Sequence, residues 1–130
     1  MSEFAKSFRD LDVYRRALDL AIDVHVMSLS FPSIERYALA DQMRRASKSV
    51  CQNVAEAWRK RRYKASFIAK LSDSETEASE TQCCLDIAIR LNYLDAARHQ
   101  DLDSRYEIVI SQLVTMINNA DTWCKIQGSR

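Results

Sequence analysis

The sequence predicts an all-α protein, a single antiparallel up-down-up-down four-helix bundle with left-handed packing. Three observations carry this prediction. Only one glycine (Gly128) and one proline (Pro32) occur in 130 residues. Sheet proteins and loop-built enzymes use these residues for turns and close backbone approach, so this chain has few places to turn. Apolar residues recur at steps of four and three over four long stretches, the period of a helix face. The connections between those stretches are short, which sets neighbouring helices antiparallel, and the four-three step suits the shallow crossing of left-handed bundles. With 47% apolar and 28% charged residues, the chain has the balance of one globular domain over 1–130.

Residues 1–9 read as a loose N-terminal arm, with Phe4 and Phe8 as candidates to pack. Asp10 is the expected N-cap of a first helix over about 11–30. The apolar positions of that helix are Leu11, Tyr14, Leu18, Ala21, Ile22 and Leu29. Phe31-Pro32-Ser33 breaks the pattern, because proline cannot continue a helix and restricts the residue before it. Ser33 is then placed to cap the next helix. The second helix is expected over about 34–60, with a narrow seam of Ala40, Met43, Ser47, Val50, Val54 and Ala57. Several of these are small, so a neighbouring helix can come close, and Trp58 adds bulk at the far end. The third helix, about 65–91, presents Phe67, Leu71, Ser74, Ala78, Thr81, Leu85 and Ala88, with Ile68, Ile87 and Ile89 widening the stripe. Asn92 is the expected left-handed C-cap in the absence of glycine. The fourth helix starts near 96 or 100 and runs to about 124 on Leu102, Tyr106, Val109, Leu113, Met116 and Ala120, beside Ile110 and Ile117. Residues 125–130 are expected to fray.

The scarcity of glycine excludes whole classes of chemistry. Neither a P-loop nor a dinucleotide-binding fingerprint can be assembled, and no nucleophile elbow is possible. A di-iron bundle needs Glu-x-x-His pairs. His25 and His99 have Ile22 and Ala96 three residues before them, so that motif is absent. Glu77 and Glu80 share a helix face but have no partner residues for acid–base work. The chain therefore reads as non-enzymatic, with no cofactor and no metal. Cys51, Cys83, Cys84 and Cys124 form no C-x-x-C pair and read as small apolar residues in a reducing compartment. The opening M-S-E-F-A-K-S-F-R-D lacks the apolar core of a secretory signal, and no apolar run reaches the roughly 18 residues of a membrane span. A soluble, cytoplasmic protein with no membrane partner is expected.

Net charge is +1, but it is unevenly spread. Residues 33–70 carry ten basic and three acidic side chains, and residues 71–104 carry two basic and eight acidic ones. Arg44, Arg45 and Lys48 fall mid-way along the second helix. Arg59, Lys60, Arg61, Arg62 and Lys64 crowd its exit, where cations suit the helix dipole. Asp73, Glu75, Glu77 and Glu80 lie in the middle of the third helix, too far along to pair with the exit cluster. Two readings remain. Acidic and basic flanks of different copies meet head to tail and close a ring, leaving the other cations to attract RNA or DNA backbones without reading sequence. Alternatively, the charges serve only assembly or a protein partner. The eight cations named are the candidate nucleic-acid contacts. Asn53 and Glu56, three apart on the small-residue side, are expected as a hydrogen-bonded polar core.

The second helix also carries a resemblance. Glu35-Arg36-Tyr37-Ala38-Leu39, Gln42-Met43-Arg44-Arg45-Ala46-Ser47 and Ser49-Val50-Cys51-Gln52-Asn53-Val54-Ala55-Glu56-Ala57 resemble the pattern of the bacterial four-helix-bundle proteins encoded in intervening sequences of 23S ribosomal RNA genes. Phe8-Arg9-Asp10-Leu11-Asp12-Val13-Tyr14 is similar to that family's start. Glu80-Thr81-Gln82, Leu85, Ala88 and Tyr93-Leu94 resemble later helices of one subgroup. The family usually has proline at the place of Cys51 and glycine at the place of Ala57, so the second helix is expected to be straighter here. It is also expected to run further into the arginines. The resemblance implies a bundle that assembles into a ring-shaped homopentamer, without enzyme activity or cofactor. It also implies a fold shared with the accessory protein of diversity-generating retroelements, which is associated with nucleic acid and a reverse transcriptase.

Overall fold

The computed structural model describes residues 5–128. Its elements are a 3-10 turn at Phe8–Asp10, α1 (Asp12–Ser28), a second 3-10 turn at Ser33–Glu35, α2 (Leu39–Arg59), α3 (Lys64–Arg90), α4 (Ala96–Asn118) and α5 (Ala120–Gly128). No strand occurs among the described residues. Helix α2 packs on α1 and α3, α4 packs on α3 and α1, and α5 lies against α3 and α4. The four long helices thus enclose one apolar core.

Three of the four seams lie where the spacing put them. The four-three positions named above for α2, α3 and α4 are all buried, Ala120 of α5 included, whereas of the flanking isoleucines Ile87 is exposed and Ile68, Ile89, Ile110 and Ile117 are half-buried. The small residues let α2 and α3 approach until Ser74 Oγ donates to the Val50 carbonyl across the interface at 2.7 Å. The buried hydroxyls of Ser47 and Thr81 bond within their own helices, to the Arg44 and Glu77 carbonyls, which is how serine and threonine are tolerated there. Asn92 has φ 63°. With Tyr93 N bonded to Ala88 O and Asn92 N to Ile89 O, it ends α3 in a Schellman motif, as expected.

The first helix departs in part from its expected phase: Leu11 and Ala21 are buried and Tyr14 packs against the core as expected, but Leu18, Ile22 and Leu29 stay outside it. Val13, Ala17, Leu20, Ala21, Val24 and Met27 face the core, whereas Leu18, Ile22, Val26 and Leu29 are exposed. Helix α1 carries two apolar stripes at helical spacing, and only one can face the bundle. The caps also differ. Asp10 does not cap α1, because its carboxylate accepts from the Lys6 and Ser7 amides of the preceding turn. Ser33 opens the second 3-10 turn and caps nothing; α2 begins at Leu39, whose amide bonds to Glu35 Oε1 at 3.2 Å. From Ala5 onward the expected arm is a folded turn, with Phe8 edge-on to Tyr14. Phe4 lies outside the described residues. The expected fourth helix is two helices, α4 and α5, parted at Asn119. The backbone stays helical to Gly128, and the last two residues of the expected frayed tail lie outside the described range.

Candidate nucleic-acid interface

The exit of α2 is built around Trp58. That ring is buried in the last turn, and the Lys60 amide bonds back to the Ala57 and Glu56 carbonyls. Tyr63 N then bonds to Lys60 O at 2.8 Å, so the chain reverses within four residues and α3 begins at Lys64. The tight reversal folds Arg61 back over the indole. Its Cζ lies 3.5 Å from the Trp58 ring centroid, and its Nε donates to the Trp58 carbonyl at 2.9 Å. Arg61 is only 7% exposed. Burial, and next Arg59, push its guanidinium below the ordinary arginine range, while Cys124 acts in the opposite sense. Among the eight candidate contacts, Arg61 thus stands apart as a buried cation.

Arg59, Lys60 and Arg62 are exposed, and none forms an ion pair among the described residues. With Trp58 and Arg61, the two arginines line a small hollow of about 100 Å³. Lys64 is held by Asp121 of α5. That contact raises the lysine's pKa and lowers the aspartate's.

The mid-helix cations have other neighbours. Arg44 is half-buried, and it donates to Ser28 Oγ at 3.0 Å and to the Arg36 carbonyl at 3.2 Å, tying α2 to the end of α1. Arg45 pairs with Asp41 one turn away at 3.1 Å. Lys48 is exposed beside a groove of about 370 Å³ lined by Leu18, Ala21, Ile22, His25, Cys51 and Gln52. At 1.5 Å per residue, Arg45 lies roughly 20 Å from Arg59 along α2. The eight candidate contacts therefore form two patches.

Helices α2 and α3 do not neutralise each other. The ion pair that joins them runs in the opposite sense, from Lys70 on α3 to Glu56 on α2 at 2.8 Å. Among the described residues, Asp73, Glu75, Glu77 and Glu80 form no ion pair with α2, and Glu80 accepts only from Gln42 Nε2, at 3.3 Å. Burial, then Glu80 and Asp73, raises the pKa of Glu77. The expected polar core of Asn53 and Glu56 is also corrected. Glu56 is exposed, and half-buried Asn53 donates to Ser49 on its own helix. Helical spacing placed both beside the seam, but on its rim. Helix α2 is unbroken through Cys51 and Ala57 but stops at Arg59, short of the expected run into the arginines.

Glu35 has a role that sequence reasoning missed. Besides capping α2, its Oε2 accepts from the Tyr93 hydroxyl at 2.8 Å, which raises the tyrosine's pKa and locks the α3–α4 connection to the start of α2. Only contacts 58 residues apart reveal it. The four cysteines are free thiols; Cys51 and Cys84 are buried, with burial raising Cys84 to about 11, whereas Cys83 is exposed, against expectation. Asp86 of α3 and His99 and Asp103 of α4 bring three donor atoms within 4.8 Å of one another. His99 Nε2 lies 2.8 Å from Asp86 Oδ1, a contact complete in itself as a hydrogen bond. No helix among the described residues is long and apolar enough to cross a membrane.

The family model described as 23S rRNA-intervening sequence protein matches residues 9–115. Among solved structures, the chain resembles a protein of unknown function from the S23 ribosomal protein family of Bacteroides thetaiotaomicron. Sequence identity is 22% and the TM-score 0.73, over 82% of this chain and 95% of that one, a likeness of fold. No curated protein sequence matches the chain.

Proposed function

We propose the following role for this chain, which belongs to the 23S rRNA-intervening sequence protein family: a non-enzymatic cytoplasmic scaffold whose copies assemble and whose basic end holds RNA or DNA without reading sequence. The observation that carries this reading is the exit of α2. Arg59, Lys60 and Arg62 stand exposed at one hairpin end without ion-pair partners among the described residues. Clustered cations of this kind attract phosphate backbones by releasing condensed counterions. Lys48 and Arg45 form an outlying patch. Lys64 and Arg44 contribute field while held by their own partners.

The bundle runs up-down-up-down with left-handed packing, and five copies close a ring, in line with the resemblance that also links it to the retroelement accessory fold. The exposed stripe of Leu18, Ile22 and Val26 on α1 and Leu29 just after it supports assembly, since it continues past the Lys48 groove and its last member borders a hollow of about 460 Å³ between α1 and α2. The alternative, a protein-interaction module, rests on the same stripe. Retention of structured RNA or of duplex DNA on a filter at low salt separates the two readings. Retention that fades steeply as salt rises supports the scaffold, and none at any salt leaves the interaction module.

A further inference from the structure

Buried guanidinium groups are ordinarily matched by a carboxylate, because an unpaired buried charge is costly. Arg61 departs from that rule. It is more than nine-tenths buried, and its one hydrogen bond among the described residues runs from Nε to the Trp58 carbonyl. No carboxylate lies within ion-pair distance of it among those residues. Among the described residues its terminal Nη groups have no side-chain or backbone acceptor, and neither is fully buried, so the tip of the fork reaches solvent. The indole beneath fixes the plane of the fork, so the group is held in place before any ligand arrives.

Arg61 and Trp58 both line a small hollow at this end of the hairpin. Its volume of about 100 Å³ equals the liquid volume of roughly three waters, enough for one phosphoryl group and too little for a base and its sugar. The remaining lining residues, Arg59 and Arg62, are both cationic. Two residues beyond Arg62, α3 begins without a side-chain cap, adding the positive end of a 27-residue helix to the local field.

We propose that this hollow is a phosphoryl-binding subsite, in which Arg61 presents its guanidinium fork to two oxygens of one phosphate while Arg59 and Arg62 close on the others. The proposal rests on the basic-end reading above and sharpens it to one anchoring phosphate. The same chemistry would accept a backbone phosphodiester or free inorganic phosphate. Bidentate arginine recognition fits either, and a lysine cannot reproduce it.

The test compares the wild-type chain with Arg61→Leu and Arg61→Lys in two assays. One is thermal melting in inorganic phosphate against chloride at matched ionic strength. The other is anisotropy of a labelled structured RNA at low salt. At ten times its dissociation constant, phosphate is expected to raise the wild-type Tm by about 5 °C. The rise vanishes in Arg61→Leu and shrinks in Arg61→Lys, and RNA affinity falls about tenfold in Arg61→Leu. A phosphate effect equal in all three proteins, or absent from the wild type, overturns the subsite. Should Arg61→Leu not fold, Arg61→Lys decides: a retained rise refutes the proposal and a diminished one supports it. A wild type that responds to phosphate but holds no RNA keeps the subsite and removes the nucleic-acid reading. RNA held equally by wild type and variants, with no phosphate response, does the reverse.

Discussion

Assembly through α1 makes a quantitative demand on Ile22 and Val26. They are 57% and 58% exposed in the single chain, near the middle of the uncovered stripe. Fully burying an aliphatic side chain of this size stabilises by about 1.5–3 kcal/mol, so covering the exposed remainder is worth about 1.2 kcal/mol each. The double variant Ile22→Asp/Val26→Asp then loses about 2.4 kcal/mol per contact. At 1.4 kcal/mol per decade this is roughly 50-fold, before the cost of desolvating two carboxylates. In a ring every contact carries the lesion. The fold should survive, because both residues point away from the core and exposed substitutions of this kind shift stability little. Size-exclusion chromatography with light scattering between 10 and 100 µM, beside circular dichroism, reads the outcome. The wild type is expected at a multiple of 15.0 kDa and the variant at the monomer mass, with matching helicity. Equal masses for the two proteins, whether monomeric or assembled, refute the argument that α1 is the covered face.

Three further outcomes follow from the packing and the ionisations. The Tyr106 hydroxyl is buried without a well-formed hydrogen bond, although the Thr81 hydroxyl is its neighbour. Tyr106→Phe is therefore expected to stabilise by up to about 1 kcal/mol in urea melts; a loss above that size would mean the hydroxyl is satisfied. Asp12 is held below the ordinary carboxylate value of 3.8, first by Arg16 and then by Gln112. A depressed acid contributes stability above its unfolded value and loses it as pH falls through the folded one. The Tm gap between wild type and Asp12→Asn should therefore be present at pH 7 and close below about pH 4, and a constant gap across that window contradicts the linkage. The His99–Asp86 contact needs no ion, so His99→Ala should shift Tm equally with EDTA and with added zinc; a zinc-dependent rise confined to the wild type would mark a metal site at Asp86, His99 and Asp103.

Most of the fold was legible because the seams of α2, α3 and α4 are written at one spacing with little competing pattern. Helix α1 was misread in part because it holds two apolar stripes, and periodicity gives faces without saying which neighbour covers them. The caps failed for a related reason. Asp10 and Ser33 are good cap residues, but an earlier turn takes the Asp10 carboxylate and a 3-10 turn displaces Ser33. The break at Asn119 carries no proline or glycine to announce it. At the candidate site, the exposed Arg59, Lys60 and Arg62 were readable as a charge run. The burial of Arg61 was not, because it depends on a four-residue reversal that lays the guanidinium on Trp58. Glu56 was misplaced for the converse reason: a polar residue three positions from a seam member can lie on the rim as well as in the core.

In the proposed role the exposed cations of the α2 exit neutralise phosphates. The most direct test of that role is the salt dependence of binding to one structured RNA, for the wild type and for Arg59→Ala/Lys60→Ala/Arg62→Ala. Each neutralised phosphate contributes about 0.7 to 0.9 to the slope of log affinity against log salt, so removing three cations should flatten that slope by about 2 to 3. Binding by the wild type at low salt, with the slope reduced by that amount in the triple variant, is the predicted result. Identical slopes for the two proteins, or no binding by the wild type even at the lowest salt, would contradict it.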